Sequence, residues 1–160
     1  MNILLSIKPE YTQKIFSGEK KYEFRRQRPI STIKKALIYE CAPTKNIVGW
    51  FTVKRILSGS PKDIWEKCKN SGGIEREKYY AYCNGKKIIY ALEIDSFFQF
   101  KNPINPFEFC SDFRPPQNFS YLDGSSICDW THAGLSFCSQ LFASKNRGES
   151  QNNRTLEEYL

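Results

Sequence analysis

The pattern of apolar and polar positions divides the first 122 residues into short elements of two kinds. Asn2–Ile7 is a continuous apolar run, the signature of a buried strand. Pro9 follows where a first helical residue belongs, because its missing N–H costs nothing there. Tyr11, Ile15 and Phe16 then recur at helical spacing, which predicts a helix over 10–17 with Gln13 and Lys14 facing out. Gly18 supplies the freedom a helix needs to stop and reverse. Tyr22 and Phe24 give the next stretch strand character. Alternation there puts Lys21, Glu23 and Arg25 on one face and Tyr22, Phe24 and Arg26 on the other. Lys20 joins Glu23 and Arg25 only if it still lies in the turn, or if a bulge intervenes.

The remaining pattern adds strands over Lys34–Cys41, Ile47–Leu57 and Ile88–Phe98, and a short one at Phe119–Tyr121. Gly49, inside the second of these, predicts a bulge or barrel corner, or a point where something approaches the backbone closely. Ser60-Pro61-Lys62-Asp63 is a helix start: serine as N-cap, proline first, aspartate placed to cap back. That helix should end near Ser71-Gly72-Gly73, and a further one is expected over Glu75–Cys83. Asn102-Pro103-Ile104-Asn105-Pro106 reads as a break. Ala133–Ala143 reads as a short helix closing the barrel, and the polar stretch Ser144–Glu158 as a mobile tail. Short strands with turn signals and little β–α alternation favour a small barrel over a parallel sheet. The expected fold is therefore α+β: a small barrel of five to six mainly antiparallel strands with flanking helices, over residues 1–122, followed by a C-terminal extension over 123–160.

Composition narrows the class. A chain of 160 residues with 40% hydrophobic and 15% aromatic residues supplies a core without metal or disulfide. The six cysteines have no C-x-x-C spacing and His132 is the only histidine, so no zinc site and no cofactor are expected. The cysteines read as small hydrophobes in a reducing compartment. The longest apolar run falls short of a membrane span, and Met1–Ile7 followed by Lys8-Pro9 does not resemble a signal peptide. The expected location is the cytoplasm.

Charge adds a direction. The formal net charge is +7, and residues 1–60 hold 12 Lys/Arg against 4 Glu while the remainder is nearly neutral. Lys14, Lys20, Lys21, Arg25, Arg26, Arg28, Lys34 and Lys35 crowd around the helix exit. A basic surface interleaved with aromatics fits a polyanionic partner, although a solvated basic face without a partner has the same composition.

Gly18, Lys20, Glu23 and Arg25 spell G-x-K-x-x-E-x-R. Together with Leu5-Ser6-Ile7-Lys8-Pro9 before the helix, Ile47-Val48-Gly49, and Pro115–Leu122, this resembles the ASCH family, a branch of the PUA-like fold. The resemblance implies a PUA-like β-barrel with helices flanking a cleft, and an RNA- or nucleotide-binding or modified-base-binding role. Under that reading Lys8, Lys20, Lys21, Arg25 and Arg26 are candidate nucleic-acid contacts, with Tyr22, Tyr39 and Trp65 as stacking surfaces. Glu23 either accepts from a base amino group or fixes Arg25 as an ion pair.

The alternative is catalysis by Lys20, Glu23 and Arg25. A lysine in a partly desolvated cleft near other cations loses proton affinity and becomes a base or nucleophile, with Glu23 as proton-transfer partner and Arg25 steadying an oxyanion. Some ASCH relatives are amidohydrolases of N4-acetylcytidine that use the signature lysine, a threonine and a glutamate; others are described as ribonucleases. Glu23 stands where that threonine would be, and Glu93 is the guess for the distant glutamate. His132 lies outside the similar region and offers no histidine pair. ASCH modules also occur in transcription-associated proteins, so a protein-interaction role is a third class. The partner expected is RNA, a nucleotide or a modified nucleoside, and no membrane.

Overall fold

The computed structural model describes residues 1–29, 32–108 and 113–122. The expectations for Ala133–Ala143 and Ser144–Glu158 lie outside the described residues. In chain order the elements are β1 (Asn2–Ile7), α1 (Pro9–Phe16), β2 (Tyr22–Arg25), β3 (Lys35–Glu40), β4 (Asn46–Gly59), α2 (Pro61–Cys68), α3 (Arg76–Cys83), β5 (Ile89–Ile104), a 3₁₀ turn (Pro106–Glu108) and β6 (Phe119–Leu122). The six strands form one curled sheet, a half-barrel, in the order β2-β5-β4-β3-β1-β6. Every neighbouring pair is antiparallel except β1 with β3, which run parallel. This matches the expected small, mainly antiparallel α+β fold.

The local signals account for the helices. Ser60 accepts the Asp63 N–H at 3.2 Å as the N-cap of α2, with Pro61 as its first residue. α2 stops at Cys68, earlier than Ser71, and Glu75 serves as the N-cap of α3. β5 runs through the expected break at 102–106. Its pairing with β4 jumps from Gln99 to Ile104, so Pro103 sits in an irregular part of the ladder that does not need its N–H. Gly49 lies at register shifts on both sides of β4. A Cβ there would stand 2.2 Å from the Phe98 carbonyl oxygen and 2.9 Å from the Phe16 ring, so the glycine is what lets β5 and α1 close on the strand.

Three apolar clusters follow from strand alternation. On the inner face Ile3, Leu5, Ile7, Ala36, Ile38, Val48, Phe51 and Leu92 pack with Ile15 of α1, which covers that face. Leu4, Leu37, Tyr39, Ile47, Phe100 and Ile104 form a second cluster on the other face. Phe24, Ile89 and Ala91 pack a third against Ile64, Cys68, Tyr79 and Cys83 of α2 and α3. Burial pushes the Cys68 thiol up to about 11, the behaviour of a structural rather than reactive cysteine. Among the described residues no helix is long and apolar enough to cross a membrane.

Candidate functional site

Between α1 and β2 the chain crosses in a turn, and the main chain of that turn is held from two sides. The Lys20 N–H donates to Lys14 O at 2.8 Å and the Lys21 N–H to Ser71 O at 2.7 Å. Lys20 is therefore still in the turn, the condition under which its side chain joins those of Glu23 and Arg25. All three meet, and all three are buried: Lys20 is 3% exposed, Glu23 7% and Arg25 5%.

Glu23 is the hub. Its Oε1 accepts from an Arg25 terminal nitrogen at 2.8 Å, and its Oε2 lies 3.5 Å from Lys20 Nζ. Lys20 Nζ also donates to Gly72 O at 2.8 Å and sits 4.8 Å from the centre of the Phe24 ring and 5.2 Å from that of Tyr11. Gly73 lies directly on the lysine stem, with φ of +63° and no room for a Cβ, which would fall 2.6 Å from Lys20 Cβ. The Gly72-Gly73 loop thus roofs the lysine and supplies its carbonyl partner. Burial is the main influence on this ammonium and lowers its proton affinity; Glu23 opposes that, while Arg25 and Lys14 add to it.

Arg25 reaches across the seam where the sheet fails to close. Among the described residues its strand, β2, pairs only with β5, and β6 only with β1. The guanidinium spans the gap, donating to Asn118 O at 2.6 Å and to Ser6 O at 3.2 Å, with Asn118 Oδ1 at 3.4 Å. The Asn118 side chain in turn donates to Gln27 Oε1 at 2.9 Å. Arg25 Nε and Ser6 Oγ are buried and have no hydrogen-bond partner among the described residues. Tyr82 donates to Phe24 O at 3.0 Å, and its hydroxyl is held protonated chiefly by burial, with Glu23 adding to that and the Arg25 and Arg26 charges working against it.

The other expected contact residues are dispersed. Lys8 is exposed just before α1, two residues after Ser6, whose carbonyl accepts from Arg25. Lys21 is exposed and, with Gly18, Lys20, Lys54, Glu93, Ile94, Asp95 and Phe97, lines a depression of about 320 Å³. Arg26 is exposed, its guanidinium 5.3 Å from the centre of the Tyr82 ring. Tyr22 is half-buried on the α2 side of β2, with the third cluster. Trp65 is half-buried against Tyr79 and Tyr80, at 5.1 and 6.1 Å. Tyr39 is buried on the face of β3 away from α1, its ring 5.4 Å from that of Phe113. Glu93 pairs with Arg55 and Lys54 at the surface, opposite Tyr22 in the ladder. Among the described residues no group of His, Cys, Asp and Glu is arranged as metal ligands would be.

Sequence reading assigns no role to Gly72, or to Ser6 and Asn118 within the blocks that carry the resemblance, yet these three complete the site. The Gly72-Gly73 doublet was itself a signal of close approach, read only as a helix end. Ser6 sits in an apolar run as well as in the block before the helix, and Asn118 lies 93 residues from its arginine.

A family model described as a domain of unknown function (DUF365) matches residues 1–111. The chain is 31% identical over 121 residues to a protein named large ribosomal subunit protein uL22 from Ureaplasma parvum, an alignment covering 75% of this chain and 39% of that one; the chain thus spans about two-fifths of that relative's length. It is 26% identical over 126 residues to a protein of Zymomonas mobilis named ASCH domain-containing ribonuclease, covering 74% of this chain and 82% of the relative. The crystal structure of ASCH from Zymomonas mobilis superposes with a TM-score of 0.71 at 25% identity, over 77% of this chain and 88% of that one.

Proposed function

The chain belongs to the DUF365 family and folds as an ASCH domain, and from that premise we propose that it binds RNA, as a single strand or a modified nucleotide, at the buried Lys20–Glu23–Arg25 cluster. The observation that carries the reading is the cluster itself. Two cations and one carboxylate are held under a glycine roof at an open seam of the sheet, where a purely structural ion pair needs neither the second cation nor donors left unpaired. The cluster has one net positive charge, and exposed Lys8, Lys21 and Arg26 lie on the segments around it, so the surroundings suit a phosphate backbone. The name of the Zymomonas mobilis relative supports RNA as the class of partner. The free thiols of Cys41, Cys68 and Cys83 suit action in a reducing cytoplasm.

One observation favours a second reading, hydrolysis of RNA or of a modified nucleoside. Burial lowers the proton affinity of Lys20, the direction a general base requires. In this reading Glu23, which pairs with both Lys20 and Arg25, takes and returns that proton, and the Arg25 guanidinium holds developing negative charge.

A single incubation separates the readings: purified full-length chain with labelled single-stranded RNA, N4-acetylcytidine and other modified nucleosides. A binder retains the RNA and leaves every substrate unchanged. A hydrolase releases product, and Lys20→Ala then abolishes turnover while keeping substrate affinity. Neither retention nor product sinks both.

A further inference from the structure

A second depression, of about 430 Å³, is larger than the one beside Lys21 and is built without any residue of the Lys20–Glu23–Arg25 cluster. It lies between the second half of α1, the end of β3 with the turn after it, and β5, and Thr12, Gln13, Phe16, Glu40, Thr44 and Gln99 are among its walls. A hollow of this size takes a small heterocycle, and its few polar groups decide which one.

The polar groups here ask for donors. Among the described residues Glu40 is the only ionisable side chain on the walls, the others being amides, hydroxyls and apolar groups. The hydroxyl of Thr12, a fully buried residue, reaches Glu40 Oε2 as well as Pro9 O at 2.9 Å, so the carboxylate is held at one oxygen. Its other oxygen, Oε1, has no hydrogen-bond partner among the described residues, and no cation pairs with it. Such a carboxylate attracts N–H groups and repels phosphate.

The neighbouring depression has the opposite character. Ser17 lines the first hollow and Gly18 the second, and the Phe16 ring of the first stands edge-on to the ring of Phe97 in the second, with centres 6.2 Å apart. Phe97 is 41% exposed for so large an apolar side chain. In its hollow Lys20, Lys21 and Lys54 outnumber Glu93 and Asp95. One hollow suited to phosphate, one suited to N–H donors and an aromatic saddle between them match a single strand whose bases hang from a charged backbone.

The carboxylate also selects among bases. Two oxygens side by side are best met by two N–H donors side by side, and the Watson–Crick edge of guanine supplies them as N1–H and the N2 amino group. Cytosine and adenine set one amino group beside an acceptor ring nitrogen, and uracil sets one N–H between two carbonyls, so each turns an acceptor toward Glu40. We propose that the hollow between α1 and β5 is a guanine pocket, with Glu40 accepting from N1–H and the N2 amino group while the strand runs over Phe97 toward Lys21. This rests on the reading of the chain as an RNA binder and names the base that it selects.

The test uses the full-length chain, wild type and Glu40→Gln, with single-stranded uridine 12-mers whose central base is uracil, adenine, cytosine, guanine or hypoxanthine, the last lacking only the N2 amino group of guanine. Wild type should bind the guanine strand about tenfold more tightly than the all-uridine strand, and hypoxanthine should lose most of that gain. Glu40→Gln should bind the guanine strand no better than the others while keeping its affinity for the all-uridine strand. No preference for guanine in wild type, or an equal loss on every strand in Glu40→Gln, overturns the proposal. Glu40→Gln keeps an oxygen for Thr12, so its Tm without ligand should match wild type. If it melts several degrees lower, the wild-type comparison of guanine with hypoxanthine decides alone, and equal affinity for the two overturns the pocket. If wild type binds no RNA, the functional reading fails, yet a rise in Tm with guanosine 5′-monophosphate that uridine and inosine 5′-monophosphates do not give would still support the pocket. No rise that is specific to guanine would overturn it.

Discussion

Lys20 concentrates the physical tension of the molecule in one side chain. An ammonium 3% exposed forfeits most of its hydration and recovers only part of it from Gly72 O, the Glu23 carboxylate and two aromatic faces. Its folded proton affinity accordingly lies below the ordinary value of 10.5. The unfolded chain then binds the proton more tightly than the native one, so stability rises with pH between the lowered native value and 10.5 and is flat below that window. Lys20→Met keeps the length of the side chain and removes the proton. The variant should be less stable near neutral pH by about 2–4 kcal/mol, since Glu23 keeps Arg25 but loses its second partner. The difference should widen as pH climbs toward 10.5, because only wild type gains there. Urea denaturation of both proteins from pH 7 to 10.5 checks it; a difference that shrinks with pH would show that the ammonium is stabilised, not strained, by its surroundings.

At the scale of elements, the barrel is finished by a side chain where its backbone ladder stops. β2 is four residues long and hydrogen-bonds to one neighbour only, and Arg25 ties it to β1 and to the residue before β6. The planar fork of a guanidinium meets two carbonyls and a carboxylate at once, a task an ammonium cannot reproduce. Arg25→Lys should therefore cost about 2–3 kcal/mol despite keeping the charge, and hydrogen exchange should accelerate in β2 before it does in β4. Uniform acceleration across the sheet would mean the seam does not depend on this residue. Much of this level could be read from sequence, because caps and periodicity are local: the Ser60-Pro61-Asp63 start, the exit at Gly18 and the corner at Gly49 all appear where their chemistry placed them. The parallel pairing of β1 with β3 was not legible, nor were the bonds from Lys20 to Gly72 and from Arg25 to Asn118, since these join residues 52 and 93 positions apart. The Tyr39 face was a different matter. Alternation along β3 puts Tyr39 opposite Ile38, but a strand apolar on both sides gives no sign of which side looks toward the site.

For the whole molecule the deciding quantity is where the positive charge resides and how much of it water can reach. Of the cations around the signature, Lys20 and Arg25 are buried and share the one carboxylate of Glu23, whereas Lys8, Lys21 and Arg26 are exposed. Counterions condensed on a nucleic acid are displaced by cations at the surface, each contributing about 0.7 to the slope of log affinity against log salt for a single strand. Removing an exposed lysine should thus change the slope, while removing a buried cation should lower affinity at every salt concentration and leave the slope nearly alone. Lys21→Ala is expected to reduce the slope by about 0.7, and Lys8→Ala by a similar amount. Lys20→Met, which keeps the roof of the site filled, should displace the whole line downward without tilting it. Fluorescence anisotropy of a labelled single-stranded RNA between 50 and about 300 mM salt distinguishes the two behaviours. If instead Lys20→Met tilts the line and Lys21→Ala does not, the buried ammonium is the one that meets phosphate, and the strand must enter beneath the Gly72-Gly73 loop rather than pass over the surface beside it.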